Sequence, residues 1–278
     1  MKMANIALII AGGVGARMGQ DIPKQFINVN DRPVIIYTLE AFQKHPEIDA
    51  IEVVCLDGWH DVLKAYAKQF GIAKLENIVS GGLNGQDSIR NGLLDIYKRY
   101  NSDDDVVLIH DAIRPMLLPE IITDNIKICR EYGNAITVVP CTAAMLKTYN
   151  SISTEEQVAR DNLKITQTPQ SFFIKDIVAA HREALEKGIT NSVASCTMYI
   201  ELGLSLIHIS KPGLSGLAQV NGRNAIKWED KLNWDLKYID CLLYTSYRFR
   251  VMLMFECPRI SLSVLTSNPS STHLVANV

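Results

Sequence analysis

Residues 4–19 read ANIALIIAGGVGARMG, an almost unbroken apolar run to Ala11 that stops at Gly12, Gly13 and Gly15 and continues through Arg17 to Gly19. A run of this kind, without polar alternation, reads as a strand buried on both faces, which is the pattern of a parallel sheet. The chain on its C-terminal side keeps to the same grammar. Residues 34–42 have helical spacing, 50–55 (AIEVVC) read as a strand, 61–70 as a helix, 77–79 as a short strand and 87–100 as a helix. Residues 105–109 (DVVLI) are the next strand, followed by a helix over 120–132 and a strand over 135–139. Strands separated by such helices need right-handed crossovers, so the expected class is α/β, a mostly parallel sheet flanked by helices. Ligands of such sheets lie beyond the carboxyl ends of the strands. The glycines after the first strand and His110-Asp111 after the fourth both fall on that edge, and the site is expected there.

Residues 141–168 break the rhythm: MLKTY and LKITQ around the polar turn 150–156 predict a hairpin or arm. Helices return at 174–187 and 192–202. The composition suits a globular core, with 47% hydrophobic residues among 278 and a formal net charge of −2. That charge gives no global attraction to nucleic acid or anionic membrane. It is unevenly placed: residues 204–278 hold 8 basic and 5 acidic side chains, against 20 and 25 before them. An acidic body that takes a phosphorylated ligand must gather its cations in one place. No run of about 18 apolar residues predicts a membrane span, and the N-terminal run leads into glycines and not into a cleavage site. Six scattered cysteines (Cys55, Cys129, Cys141, Cys196, Cys241, Cys257) read as reduced thiols of a cytoplasmic protein.

Glycines at 12, 13, 15 and 19 let the backbone approach an anion closely, and successive N–H groups can cradle phosphates. Arg17 and Lys24 add side-chain charge at the same place. The run lacks the Gly-Lys-Ser/Thr of a Walker loop, and its spacing differs from the dinucleotide fingerprint. A nucleotide site is the expectation; a plain strand-to-helix turn with solvated cations is the alternative.

The stretch resembles the 2-C-methyl-D-erythritol 4-phosphate cytidylyltransferases and the related ribitol-5-phosphate cytidylyltransferases. Further motifs follow in the family's order: Gly81-Gly82 with QDSIRNG (86–92), HDAIRP (110–115), Arg160, QTPQSF (167–172) and Gly188-Ile189-Thr190. The likeness covers residues 4–203. It implies a Rossmann-like nucleotidyltransferase fold with a β-arm, in which the acceptor's phosphate oxygen attacks the α-phosphorus of CTP and pyrophosphate leaves. By that resemblance Arg17, Lys24 and Arg160 are catalytic, and Ala11, Gly12, Gly13, Gly15, Gly82, Ser88, Asp111 and Ala112 hold CTP. Arg160 and Thr168 meet the substrate, and magnesium rides on the triphosphate with Asp111 as its one protein ligand. The arm implies a homodimer. Plainer roles stay open: Ser88 as a helix cap, Asp111 as a backbone hydrogen-bond partner at a strand end, Arg114 as a structural ion-pair partner, Arg160 as a solvated arginine. His110 is expected to be a packed neighbour, because a phosphate nucleophile needs no deprotonation near pH 7.

The chain also departs from the family pattern. An Asp-Thr pair that contacts the acceptor phosphate is replaced by Ala143-Ala144, Thr-Asp by Thr190-Asn191, and no closing strand with an Asn-Ile-Lys motif follows Gly203. Residues 211–240 instead resemble a short piece of bacterial undecaprenyl-phosphate sugar-phosphate transferases, without their membrane helix or catalytic carboxylates. Residues 204–209 (LSLIHI) and 241–246 (CLLYTS) match two reading frames of one nucleotide run, CTGTCTCTTATACACATCT, which resembles the end sequence of a transposon-based sequencing library. The expected organisation is therefore a cytidylyltransferase domain at 1–203, lacking its closing strand, and a non-native or poorly ordered tail at 204–278 from a joined reading frame. The expected activity is CMP transfer from CTP to a polyol phosphate, with 2-C-methyl-D-erythritol 4-phosphate favoured over ribitol 5-phosphate. A folded but catalytically impaired nucleotide binder and a bifunctional protein of polysaccharide assembly are the rival readings.

Overall fold

The computed structural model describes residues 3–13, 22–100, 102–150 and 152–210. The chain divides into two units, Met1–Leu214 and Ser215–Val278, and all described residues lie in the first.

Its strands are β1 (Asn5–Ala11), β2 (Asn28–Val29), β3 (Arg32–Pro33), β4 (Ala50–Cys55), β5 (Leu75–Ser80), β6 (Val106–Asp111), β7 (Asn134–Pro140), β8 (Met145–Thr148), β9 (Thr154–Val158), β10 (Lys164–Phe173) and β11 (His208–Ser210). The helices are α1 (Val34–Lys44), α2 (His60–Gln69), α3 (Gly85–Arg99), α4 (Pro119–Tyr132), α5 (Ile174–Glu186) and α6 (Ser195–Glu201). The main sheet runs β11-β7-β10-β6-β1-β4-β5. Neighbours are parallel except β10, which is antiparallel to both β6 and β7. This is the predicted α/β architecture. β1 and β4 are buried nearly throughout, as strands covered on both faces must be.

One apolar layer lies between the sheet and α1, α2 and α4, with Phe42, Leu39, Ile35 and Leu63 at its centre. The other packs α3, α5 and α6 on the opposite face through Leu93, Ile96, Phe172 and Met198. Gly92 sets the closeness of α3: a methyl group there would fall 2.6 Å from Leu8 Cδ1 and 2.7 Å from Val54 Cγ2. That intimate seat brings the start of α3 to the carboxyl edge of β1 and β4. Local signals end the helices as physics requires: α4 begins with Pro119 and stops at Gly133 in the left-handed region (φ 92°).

Two expectations are corrected. LKITQ does not pair with MLKTY. The hairpin is formed by β8 with β9, while residues 164–173 cross the main sheet between β6 and β7. β7 needs a ladder partner on each side, and β10 supplies one through Ile165 and Thr166 opposite Val139 and Val138. The place of the closing strand is also not left open: β11 lies there parallel to β7, without the Asn-Ile-Lys motif, and Ile207 N–H is received by Asn134 Oδ1 at 2.8 Å. The physical reason is the edge itself, because unpaired N–H and C=O groups along β7 accept an extended apolar segment that reaches them. The small β2–β3 hairpin was not anticipated; Asn30 and Asp31 turn it with positive φ (47° and 61°), which Asn and Asp tolerate.

Candidate active site

Two glycine turns meet at the carboxyl edge. One follows β1 at Gly12-Gly13, the other follows β5 at Gly81-Gly82. A methyl group on Gly12 would stand 3.5 Å from Gly81 Cα and 3.4 Å from Ser88 Oγ, so the turns run side by side. Gly82 is more constrained still, since a Cβ there would fall 2.3 Å from Asp87 Cβ. Ser88 joins turn and helix: its Oγ accepts Gly82 N–H at 2.9 Å and donates to Asn84 O at 2.9 Å. The N-cap of α3 is Asn84, whose side chain accepts Asp87 N–H at 2.9 Å. Ser88 is thus a brace and not the cap.

Lys24 opens a short 3-10 turn, Lys24–Phe26, and is half-buried beside this edge. Phe26 anchors the turn by stacking on Trp59, with ring centroids 4.6 Å apart. Gln25 ties it to the first glycine turn through hydrogen bonds to Ala11 O and Gly13 O. Arg17 and Gly15 lie outside the described residues.

Across the edge, β6 ends at Asp111. Its carboxylate pairs with Arg114 (Nε to Oδ2, 2.6 Å), and Arg114 also donates to Gln167 Oε1. Thr168 Oγ1 stands 3.4 Å from Asp111 N. Asp111 is 40% exposed, so it faces solvent at the mouth. Ala112 is buried, and its backbone is already engaged: N–H to Ile10 O, and O receiving Thr38 Oγ1. His110 is buried, donates from Nε2 to Arg114 O at 2.9 Å and meets Phe42 edge-on. Burial pushes its pKa down to about 4, so it stays neutral and packed, as expected.

Arg160 lies apart from this cluster, exposed on a 3-10 turn (Arg160–Asn162), with Nη1 3.5 Å from Thr142 O. It therefore sits beside Thr142-Ala143-Ala144, the segment that departs from the family pattern. Two residues carry more than sequence reasoning assigned them. Gln25 carries no role in the sequence reading. Gln86, also buried, donates to Ile189 O and accepts Ser192 N–H, fastening α3 to the loop after α5. The available signal for Gln86 was its place directly after Gly85 and close to Gly81-Gly82, and for Gln25 its adjacency to Lys24. Among the described residues no three His, Cys, Asp or Glu side chains converge as a metal cage would. A magnesium ion carried by a nucleotide needs only one or two carboxylates besides phosphate oxygens, and the exposed carboxylate of Asp111 fits that lesser demand.

Comparison with known proteins places this geometry. The model of the 2-C-methyl-D-erythritol 4-phosphate cytidylyltransferase family matches residues 5–204. A second, for bacterial sugar transferases, matches 183–257. Ribitol-5-phosphate cytidylyltransferase of Lacticaseibacillus paracasei is 40% identical over 202 residues, covering 72% of this chain and 86% of that protein. The 2-C-methyl-D-erythritol 4-phosphate cytidylyltransferase of Clostridium botulinum is 36% identical over 198 residues, covering 71% and 83%. The crystal structure of 4-diphosphocytidyl-2C-methyl-D-erythritol synthase from Anaerococcus prevotii superposes with a TM-score of 0.69 at 19% identity, covering 86% of this chain and 99% of that one. That last likeness concerns the fold alone. With a family match over most of its length and relatives at 40% identity, the chain belongs to the 2-C-methyl-D-erythritol 4-phosphate cytidylyltransferase family of nucleotidyltransferases.

Proposed function

We propose that this chain transfers the cytidylyl group of CTP to ribitol 5-phosphate and releases pyrophosphate, as a homodimer with magnesium on the triphosphate. The observation that carries the acceptor is the order of similarity, 40% to ribitol-5-phosphate enzymes against 36% to methylerythritol-phosphate enzymes. It reverses the preference drawn from the motifs. Ala143 and Ala144 agree with it, because small side chains leave room for a five-carbon unbranched chain. Their neighbour Arg160 is the cation that would take the acceptor's phosphate through a bidentate contact.

The acceptor's phosphate oxygen forms a bond to the α-phosphorus, and the bond from that phosphorus to the bridging oxygen breaks with its electron pair leaving on pyrophosphate. Negative charge gathers on the phosphoryl oxygens, so positioning and fixed cations supply most of the acceleration. The family resemblance gives that role to Lys24 and Arg17. The glycine turns at 12–13 and 81–82 would cradle the nucleotide, with Gly15, Ala11, Ser88 and Ala112 shaping them. Gly82 N–H is held by Ser88, so Ser88 acts by fixing the turn. Thr168 would border the acceptor. When bound, magnesium supplies charge neutralisation on the triphosphate, and Asp111 would hold it. The arm β8–β9 leaves Leu146, Tyr149 and Ile152 exposed, apolar surface that supports pairing with a second copy. Residues 204–278 take no step in this chemistry and are a segment joined from another reading frame in this proposal; an uninterrupted genomic frame across Gly203 would overturn that part.

Full-length protein with CTP, magnesium and either polyol phosphate, monitored by pyrophosphate release, tests the proposal. The expected kcat/KM is at least about tenfold higher with ribitol 5-phosphate, the scale of a pocket that matches one chain length. Faster turnover of 2-C-methyl-D-erythritol 4-phosphate would overturn the acceptor, and release with neither would overturn the activity.

A further inference from the structure

Gln25 is a polar side chain with 1% of its surface exposed. Its Nε2 donates to Ala11 O at 2.7 Å and to Gly13 O at 3.1 Å. A primary amide has two N–H donors, so this pair of bonds engages both. Both partners are carbonyls, which only accept, so the nitrogen end of the carboxamide must be the end that faces them. Three features of the fold then meet in one residue. The glycine turn is pinned on both sides of Gly12. Its carbonyls, held by a buried donor, cannot swing toward an incoming phosphate, where they would repel it. And the residue that pins it is the immediate neighbour of Lys24, in a turn that is itself locked by Phe26 on Trp59 and by Phe26 N–H on Pro23 O at 2.8 Å.

We infer that Gln25 is a positioning residue that couples the nucleotide-binding glycine turn to Lys24, so that backbone donors and cation reach the triphosphate as one preformed unit; this rests on reading that turn as the CTP site. Preformed donors cost no reorganisation when charge develops, and a turn free to rotate its peptides would lose that advantage. Gln25 touches no substrate atom in this role. It acts through the turn and through Lys24.

The test uses full-length protein in two variants. Gln25→Met keeps length and burial but removes both donors; its KM for CTP is expected to rise about tenfold or more, the scale of two lost hydrogen bonds, while KM for the polyol phosphate stays within about twofold. A CTP KM within twofold of the parent, or an equal rise for both substrates, would overturn the inference. Gln25→Glu gives a second readout that a merely structural role would not move. As a carboxylate it repels the two carbonyls, and as a carboxylic acid it regains one donor, so its CTP KM relative to the parent should fall as pH drops from 8 to 5. A pH-independent ratio would contradict the coupling, and this arm stands if the methionine variant does not fold. A parent protein that releases no pyrophosphate defeats the proposed function instead, which keeps the two failures distinct.

Discussion

Gly82 and Ser88 act as a single joint, and their chemistry shows how little tolerance the site has. A methyl group on Gly82 would overlap Asp87 Cβ at 2.3 Å, so Gly82→Ala must push the start of α3 away from the turn. The expected outcome is a loss of about 2 kcal/mol, or about 5 °C in melting temperature for a domain of this size, together with weaker CTP binding; calorimetric melting and a CTP titration check both. Lys24 is a different case, because its burial is partial and its proposed contribution is charge. Lys24→Ala is expected to lower kcat/KM by about a hundredfold or more with little change in melting temperature, and an unchanged rate would remove it from the mechanism. At this scale the position of Gly12, Gly13, Gly82, Lys24 and Asp111 at this edge was legible from residue type and order alone. Gln25 and Gln86 were not, since an amide's role depends on which carbonyls surround it, and Ser88 was legible only as a choice between cap and ligand.

Among the elements, β4 carries an anomaly in its middle. Glu52 is buried opposite Leu8, and its carboxylate pairs with Arg99, which also reaches Glu76 and Asp95. Burial pushes the Glu52 pKa up to about 8, against the opposing pull of Arg99. An acid whose folded pKa is raised gives stability that is present below its ordinary value and lost as pH climbs toward the folded one. The parent should therefore lose stability between about pH 4.5 and 8 on account of this residue. Glu52→Gln cannot titrate, so its melting temperature should gain on the parent's across that range; parallel curves would exclude Glu52 as the source. Burial gives His110 and His181 the opposite sign, pushing both down to about 4, so their contribution falls away as pH drops from 6.5 toward 4. The β8–β9 arm bears the proposed dimer contact: Leu146→Asp with Ile152→Asp should turn a dimer into a monomer by light scattering, and a monomeric parent would contradict the proposal. The helices were readable from periodicity, and β1, β4 and β6 from their unbroken apolar runs. β10 was not, because Pro169 within QTPQSFF argues against a central strand, and an alternating segment such as LKITQ does not declare its partner.

In the molecule as a whole, a mostly parallel sheet presents an edge where two glycine turns abut, with cations on separate segments around it. Tertiary hydrogen bonds hold that arrangement across the sheet: Asn125 of α4 donates to Thr137 of β7 and receives Ser171 of β10, and Thr137 donates to Pro169 O. The sequence patterns identified the layers, but not β11, whose three residues are too few to show a period and whose pairing follows from the open edge of β7. Among the described residues no helix is long and apolar enough to cross a membrane. Every functional statement depends on the edge at residues 11–13 and 81–88 receiving a cytidine triphosphate. Isothermal titration of the folded full-length chain with CTP and magnesium measures that directly: the expected result is saturable heat at one site per chain, absent from protein already saturated with CTP and weakened in Lys24→Ala. Flat heats from folded protein would contradict it.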